Sequence, residues 1–218
     1  MLYSAEIRWF FEGAIEPAVD TWFRSDPVVD LETEDRVDRY LVIPGCESVG
    51  VKMRDFDDPK GGKFEVKAAL GAAEVLALTT QVHGRADTWA KWTFPTEGFE
   101  PWVVAITTGE NAEPTWVTAH KLRWLRKFSL DTGSVTEVDP DVKPRPHSGC
   151  SAELVTLDVG DAVWWTFGFE SFGSRFEVRA NLRQVAHHWF DQRGVAMARL
   201  PVAQSVAYPT WAGGFIGP

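Results

Sequence analysis

The run Val49-Gly50-Val51-Lys52-Met53-Arg54, the turn-rich break Asp57-Asp58-Pro59-Lys60-Gly61-Gly62, and the run Phe64-Glu65-Val66-Lys67 decide the fold. Side chains of a strand alternate between its two faces. Val51 and Met53, then Phe64 and Val66, share one face, while Lys52 and Arg54, then Glu65 and Lys67, share the other. The reading is a hairpin with one apolar and one charged side. Working outward, the pattern recurs: Glu6 and Arg8 alternate with Ile7 and Trp9, and Lys121 and Arg123 with Leu122 and Trp124. Val163, Trp165, Phe167 and Phe169 form another heavy apolar face. A solvated sheet explains any single strand of this kind. Apolar faces this heavy cannot stay in water, however, so closed strands leave two arrangements. Either the apolar side points inward and the charges are wet, or it points outward beneath helices and the charges line a lumen. Alternation alone does not choose between them.

The remaining chain continues the strand-and-turn succession. Further strands are predicted at Tyr3–Phe11, Val37–Ile43, Thr88–Phe94, Trp102–Thr107, Thr115–Leu130, Ala152–Leu157 and Ala162–Ser171. Helical spacing appears in Ala14–Phe23, with Pro17 in its first turn, and in Val178–Gln192, which Gly194 stops. The acidic stretch Asp26–Asp35 reads as a loop, and so does the proline-rich Val138–Cys150, because strand patterning resumes beyond it. The Gly- and Pro-rich end is read as a tail. The expectation is one mainly β (α+β) domain over residues 1–218, an antiparallel closed barrel with a few flanking helices.

A net charge of −9 disfavours a nucleic-acid coat, so clustered cations such as Lys121, Arg123, Arg126 and Lys127 are judged locally, with Arg126 and Lys127 read as the solvated end of a strand. No apolar run reaches the roughly 20 residues that span a bilayer, and Glu6 and Arg8 interrupt the first strand. No membrane partner and a cytoplasmic location are the expectation. Cys46 and Cys150 are too few for a disulfide scaffold and are read as free thiols. His187-His188 point about 100° apart on a helix and do not suggest a metal site, while Lys60-Gly61-Gly62-Lys63 lacks the spacing of a phosphate loop.

Asp35-Arg36-Val37-Asp38-Arg39-Tyr40-Leu41, Val49 to Arg54 and Phe64 to Lys67, taken in order, resemble the early strands of the CYTH family, the triphosphate tunnel metalloenzymes. Ser4-Ala5-Glu6-Ile7-Arg8 stands where that family has its Glu-x-Glu-x-Lys signature, and Trp164 to Glu170 resembles its late strand. The resemblance implies a tunnel barrel in which Arg8, Arg39, Lys52, Arg54, Lys67, Lys121 and Arg123, with Glu65 among them, meet a phosphorylated small molecule or inorganic polyphosphate. It also implies Mg²⁺ or Mn²⁺ held by Glu6, Glu153 and Glu170, and hydrolysis of the triphosphate type. No catalytic residue is assigned. Ser4 replaces the first signature glutamate, Arg8 the lysine, and Gly168 an expected acid. Two other readings stay open: a non-catalytic binder of a phosphorylated metabolite, and a lipocalin-like carrier with an apolar cavity.

Overall fold

The structure is a computed structural model and describes residues 1–55, 62–95, 116–194 and 200–216. Its strands are β1 (Leu2–Glu12), β2 (Glu32–Leu41), β3 (Val49–Arg54), β4 (Lys63–Ala69), β5 (Glu74–Ala77), β6 (His83–Pro95), β7 (Trp116–Ser129), β8 (Thr136–Val138), β9 (Gly149–Val159) and β10 (Ala162–Phe172). Among the described residues they are accompanied by the α-helices α1 (Pro17–Arg24), α2 (Val178–Arg193) and α3 (Tyr208–Gly213). The strand order β1-β10-β9-β7-β2-β3-β4-β6 returns to β1 through the β1–β6 pairing, with every pairing antiparallel. Eight strands therefore close a barrel, and β5 and β8 extend it from β6 and β7. The expected strand at Trp102–Thr107 and most of the turn at Asp57–Gly62 lie outside the described residues.

The open choice of face resolves with the apolar side outward. Ala5, Ile7, Trp9, Leu154, Trp165, Phe167 and Phe169 are buried on the barrel's outer surface beneath Val19 and Phe23 of α1 and Leu182, Val185, Ala186 and Trp189 of α2. Trp189 makes edge or tilted contacts with Phe167, Phe169 and Phe128 at ring separations near 6 Å. Each of these aromatic pairings contributes about 0.5–1.5 kcal/mol beyond the area it buries. Because this surface is already covered, the interior is left to the charged faces, and the lipocalin-like reading falls.

One end of the barrel is apolar and filled. Phe10, Tyr40, Val42, Val117, Val155 and Leu157 line it, and α3 inserts Trp211 against them, stacked on Phe10 at 5.0 Å. Tyr208 of α3 stacks on Tyr40 at 5.2 Å. The stretch read as a tail is thus a stopper.

Two further differences have electrostatic causes. β2 begins at Glu32 inside the stretch read as an acidic loop, because Glu32 and Glu34 find Arg123 at 3.4 and 2.7 Å across the sheet. Arg126 is not a solvated end of a strand; it is 1% exposed. It holds Glu137 at 2.6 and 2.7 Å and donates to the carbonyls of Phe23 and Ser25 at 3.1 and 3.0 Å. Cys46 and Cys150 are both free thiols.

Candidate functional site

Strand alternation sends polar residues of all eight barrel strands inward, where they enclose a cavity of ≈ 70 Å³. Arg8, Arg36, Lys52, Arg54, Lys67, Lys91, Lys121 and Arg123 face it, against Glu6, Glu65, Glu153 and Glu170. The cavity is small beside the roughly 300–1,000 Å³ of pockets that take drug-sized ligands. At the end away from α3 it leads into a wider vestibule of ≈ 470 Å³, whose wall shares Lys91, Arg123, Glu153 and Glu170 and adds Arg145 and His147.

The charges form a connected lattice. Glu153 accepts from Arg8 at 2.5 Å and from Arg123 at 2.9 Å, one carboxylate oxygen each. Glu65 meets Lys52 at 2.7 Å, with Arg54 and Lys91 at 3.6 and 3.7 Å. Glu6 accepts from Lys67 at 2.9 Å, and Glu170 lies 3.7 Å from Lys91. Asp38, fully buried, is surrounded by Lys121 at 3.0 Å, Arg36 at 3.2 Å, and Lys52 and Arg54 at 3.7 Å. Arg36 also pairs with Glu34. Burial alone would raise these carboxyls; the adjacent lysines and arginines outweigh it and hold Asp38, Glu65, Glu153 and Glu6 below the usual carboxylate range.

Lys121 occupies a box of its own. Its ammonium lies 3.9 Å from the centre of the Tyr208 ring and 4.9 Å from that of Tyr40, and it donates to the Tyr40 hydroxyl. That hydroxyl donates in turn to Asp38 at 3.0 Å. Burial pushes the Lys121 pKa down to about 7 against the pull of Asp38, with Arg36 adding to the fall. Burial likewise lowers Lys52 to about 8, with Arg54 contributing.

Several arginine donors remain open. The buried Nε–H groups of Arg8, Arg36, Arg54 and Arg123 make no hydrogen bond among the described residues; those of Arg36 and Arg54 lie 3.2 and 3.7 Å from Asp38, while those of Arg8 and Arg123 are open. An orphaned buried donor costs about 1–3 kcal/mol, so each is a place where a ligand oxygen gains. Planar guanidinium forks suit phosphate oxygens, and lysines supply point charges beside them.

Of the residues singled out in the sequence, Glu6, Arg8, Lys52, Arg54, Glu65, Lys67, Lys121, Arg123, Glu153 and Glu170 all face this one cavity. Arg39 does not: it alternates with Asp38 and Tyr40 along β2, so its side chain leaves on the outer face. Arg36, Asp38, Tyr40, Lys91 and Tyr208 were not singled out. Asp35 to Arg39 is polar on both faces, which hides Arg36 and Asp38, while Tyr208 comes from the stretch read as a tail.

The carboxylates do not fit a divalent-ion centre. Such an ion takes six or more oxygen ligands in a convergent set. No three carboxylate, histidine or cysteine groups gather in that way among the described residues. Glu153 has both oxygens engaged by arginines, and Glu6, opposite Glu170 on β10 and Asp87 on β6, has its carboxylate on Lys67. At Gly168 an acid is excluded sterically, since a Cβ would stand 2.7 Å from the Ile7 carbonyl oxygen and 3.1 Å from the Arg8 Cα.

No family model and no curated protein matches the sequence. Solved structures do resemble it. A conserved hypothetical protein from Pyrococcus furiosus shares 15% identity over 89% of this chain and 96% of its own, with a TM-score of 0.47. An adenylyl cyclase-like protein from Hippeastrum, described as having a dominant triphosphatase activity, shares 9% over 89% of both chains, with a TM-score of 0.46. The mimivirus capping-enzyme triphosphatase shares 8% over 84% of this chain and 87% of its own, with a TM-score of 0.41. The eight-strand antiparallel closure and the charged lumen of the chain itself make its fold a CYTH-like tunnel barrel.

Proposed function

We propose that the tunnel binds a triphosphate or another phosphorylated small molecule, gripped by Arg8, Lys52, Arg54, Lys67, Lys121 and Arg123. One observation carries this: among the described residues eight basic side chains face the cavity against four glutamates, with Asp38 buried behind them, in a chain whose net charge is −9. Concentrating cations in a low-dielectric lumen is costly unless an anion joins them. The open Nε–H groups of Arg8 and Arg123 support the same reading.

Hydrolysis of that ligand with Mg²⁺ or Mn²⁺ is the finer expectation from the family resemblance. The arginine pairing of Glu153 and the steric closure at Gly168 favour the non-catalytic binding module instead. Isothermal titration calorimetry with inorganic triphosphate tests the binding. Saturable binding by the unmodified chain and its loss in the Lys52→Ala, Arg54→Ala double variant is the expected result; equal heats from both proteins would reject it. Phosphate release from triphosphate and nucleoside triphosphates at a rate above that of the double variant would return the protein to the enzymes.

A further inference from the structure

The further inference rests on the reading just proposed and concerns how the ligand's charge is neutralised. Among the described residues, Glu6, Asp38, Glu65, Glu153 and Glu170 each already have a lysine or arginine at 2.5 to 3.7 Å. An ammonium or guanidinium seated on a carboxylate oxygen takes the lone pair and the space a divalent ion would need, and repels that ion. Ser4 and Gly168 withhold the acids that would compensate: Ser4 ends in a hydroxyl, and Gly168 has no room for a Cβ. The cations are arranged the opposite way. The guanidiniums carry more donors than the carboxylates take up, and the Nε–H groups of Arg8 and Arg123 meet no carboxylate.

We infer that the tunnel takes its anionic ligand without a resident divalent ion, by exchange: phosphate oxygens displace the internal carboxylates from the lysines and arginines and collect the open Nε–H groups. Glu6 and Glu170 are the carboxylates able to give way. Their side chains are 12% and 29% exposed, and Glu170 also lines the vestibule, whereas those of Asp38 and Glu153 are at most 7% exposed. They act as counter-ions that keep the empty lumen neutral enough to fold, and they compete with the ligand once it arrives. Magnesium in solution then weakens binding, because it claims the phosphate oxygens without a seat in the protein.

The experiment is a titration of inorganic triphosphate into the full chain, once with EDTA and once with excess Mg²⁺, on the unmodified protein and on Glu6→Gln and Glu170→Gln. The inference expects saturable binding in EDTA at least as tight as in Mg²⁺. It also expects each glutamine variant to bind more tightly, by up to about fivefold, the factor equivalent to an exposed ion pair of about 1 kcal/mol. Binding that appears only with Mg²⁺ and is lost in both variants would overturn it, as would a stoichiometric Mn²⁺ site in the ligand-free chain, read by electron paramagnetic resonance and abolished by Glu6→Gln. Either result leaves the phosphate-binding reading standing. Absence of triphosphate binding under both conditions removes that reading and this inference together.

Discussion

Lys121 sits where burial and charge oppose each other most directly. Two tyrosine rings and Asp38 hold it, yet its pKa falls to about 7, and that of Lys52 to about 8, from the ordinary lysine value of 10.5. Between pH 7 and 10 the unfolded chain therefore binds more protons than the folded one at these two positions, so their contribution to stability rises with pH across that window. Urea denaturation at about pH 7 and about pH 9 should show this rise, and Lys121→Met should diminish it; an identical rise in the variant would contradict the assignment. Ligand binding works in the reverse sense. An anion beside Lys121 favours its charged form, so binding near pH 8 takes up protons, which calorimetry in buffers of different ionisation enthalpy detects. Arg126 gives the stability counterpart. It ties β7 to Glu137 of β8 and to the carbonyls of Phe23 and Ser25 at the end of α1, and Arg126→Met strands the buried Glu137 carboxylate, so a loss of about 3 kcal/mol is expected in chemical denaturation.

Among the elements, β3 and β4 were legible because their alternation is clean: Lys52, Arg54, Glu65 and Lys67 share a face, the opposite face carries only Val49, Val51, Met53, Phe64, Val66 and Ala68, and the charged face is the lumen. β2 was not. Asp35, Arg36, Asp38 and Arg39 place charges on both sides of the strand, so period two gave no direction, and Arg36 and Asp38 went unnoticed while Arg39 was preferred. α3 was hidden for a different reason. It is a six-residue helix opened by Pro209 and closed by Gly213-Gly214, and only the apolar end of the barrel supplies the partner that makes it ordered. Trp211→Ala should remove the stack on Phe10 and the edge contacts with Trp164 and Phe215, costing about 3 kcal/mol in denaturant unfolding. Gly168→Glu, the change that restores an acid to β10, should lower the thermal midpoint rather than create a metal site, because the new Cβ meets the β1 backbone. An unchanged midpoint together with Mn²⁺ binding would contradict the account of that position.

At the scale of the molecule, the choice that sequence left open was which face of the closed sheet looks inward. Either choice satisfies strand alternation, and the difference lies in long-range packing: α2 presents Leu182, Val185, Ala186 and Trp189 to Ile7, Phe167 and Phe169, and so covers the outer apolar face. Once that face is covered, the cations are enclosed, one end is stoppered by α3, and the vestibule near Arg145 and His147 offers a polyanion a wide approach. No helix among the described residues is long and apolar enough to cross a membrane. The claim on which the account turns is that this interior receives phosphate. A crystal of the full chain soaked with inorganic triphosphate measures it directly: density for the phosphate chain inside the barrel, in contact with Lys52, Arg54 and Lys67, is the predicted result. Phosphate bound only on the outer surface, with Lys52 still on Glu65 and Lys67 still on Glu6, would contradict it.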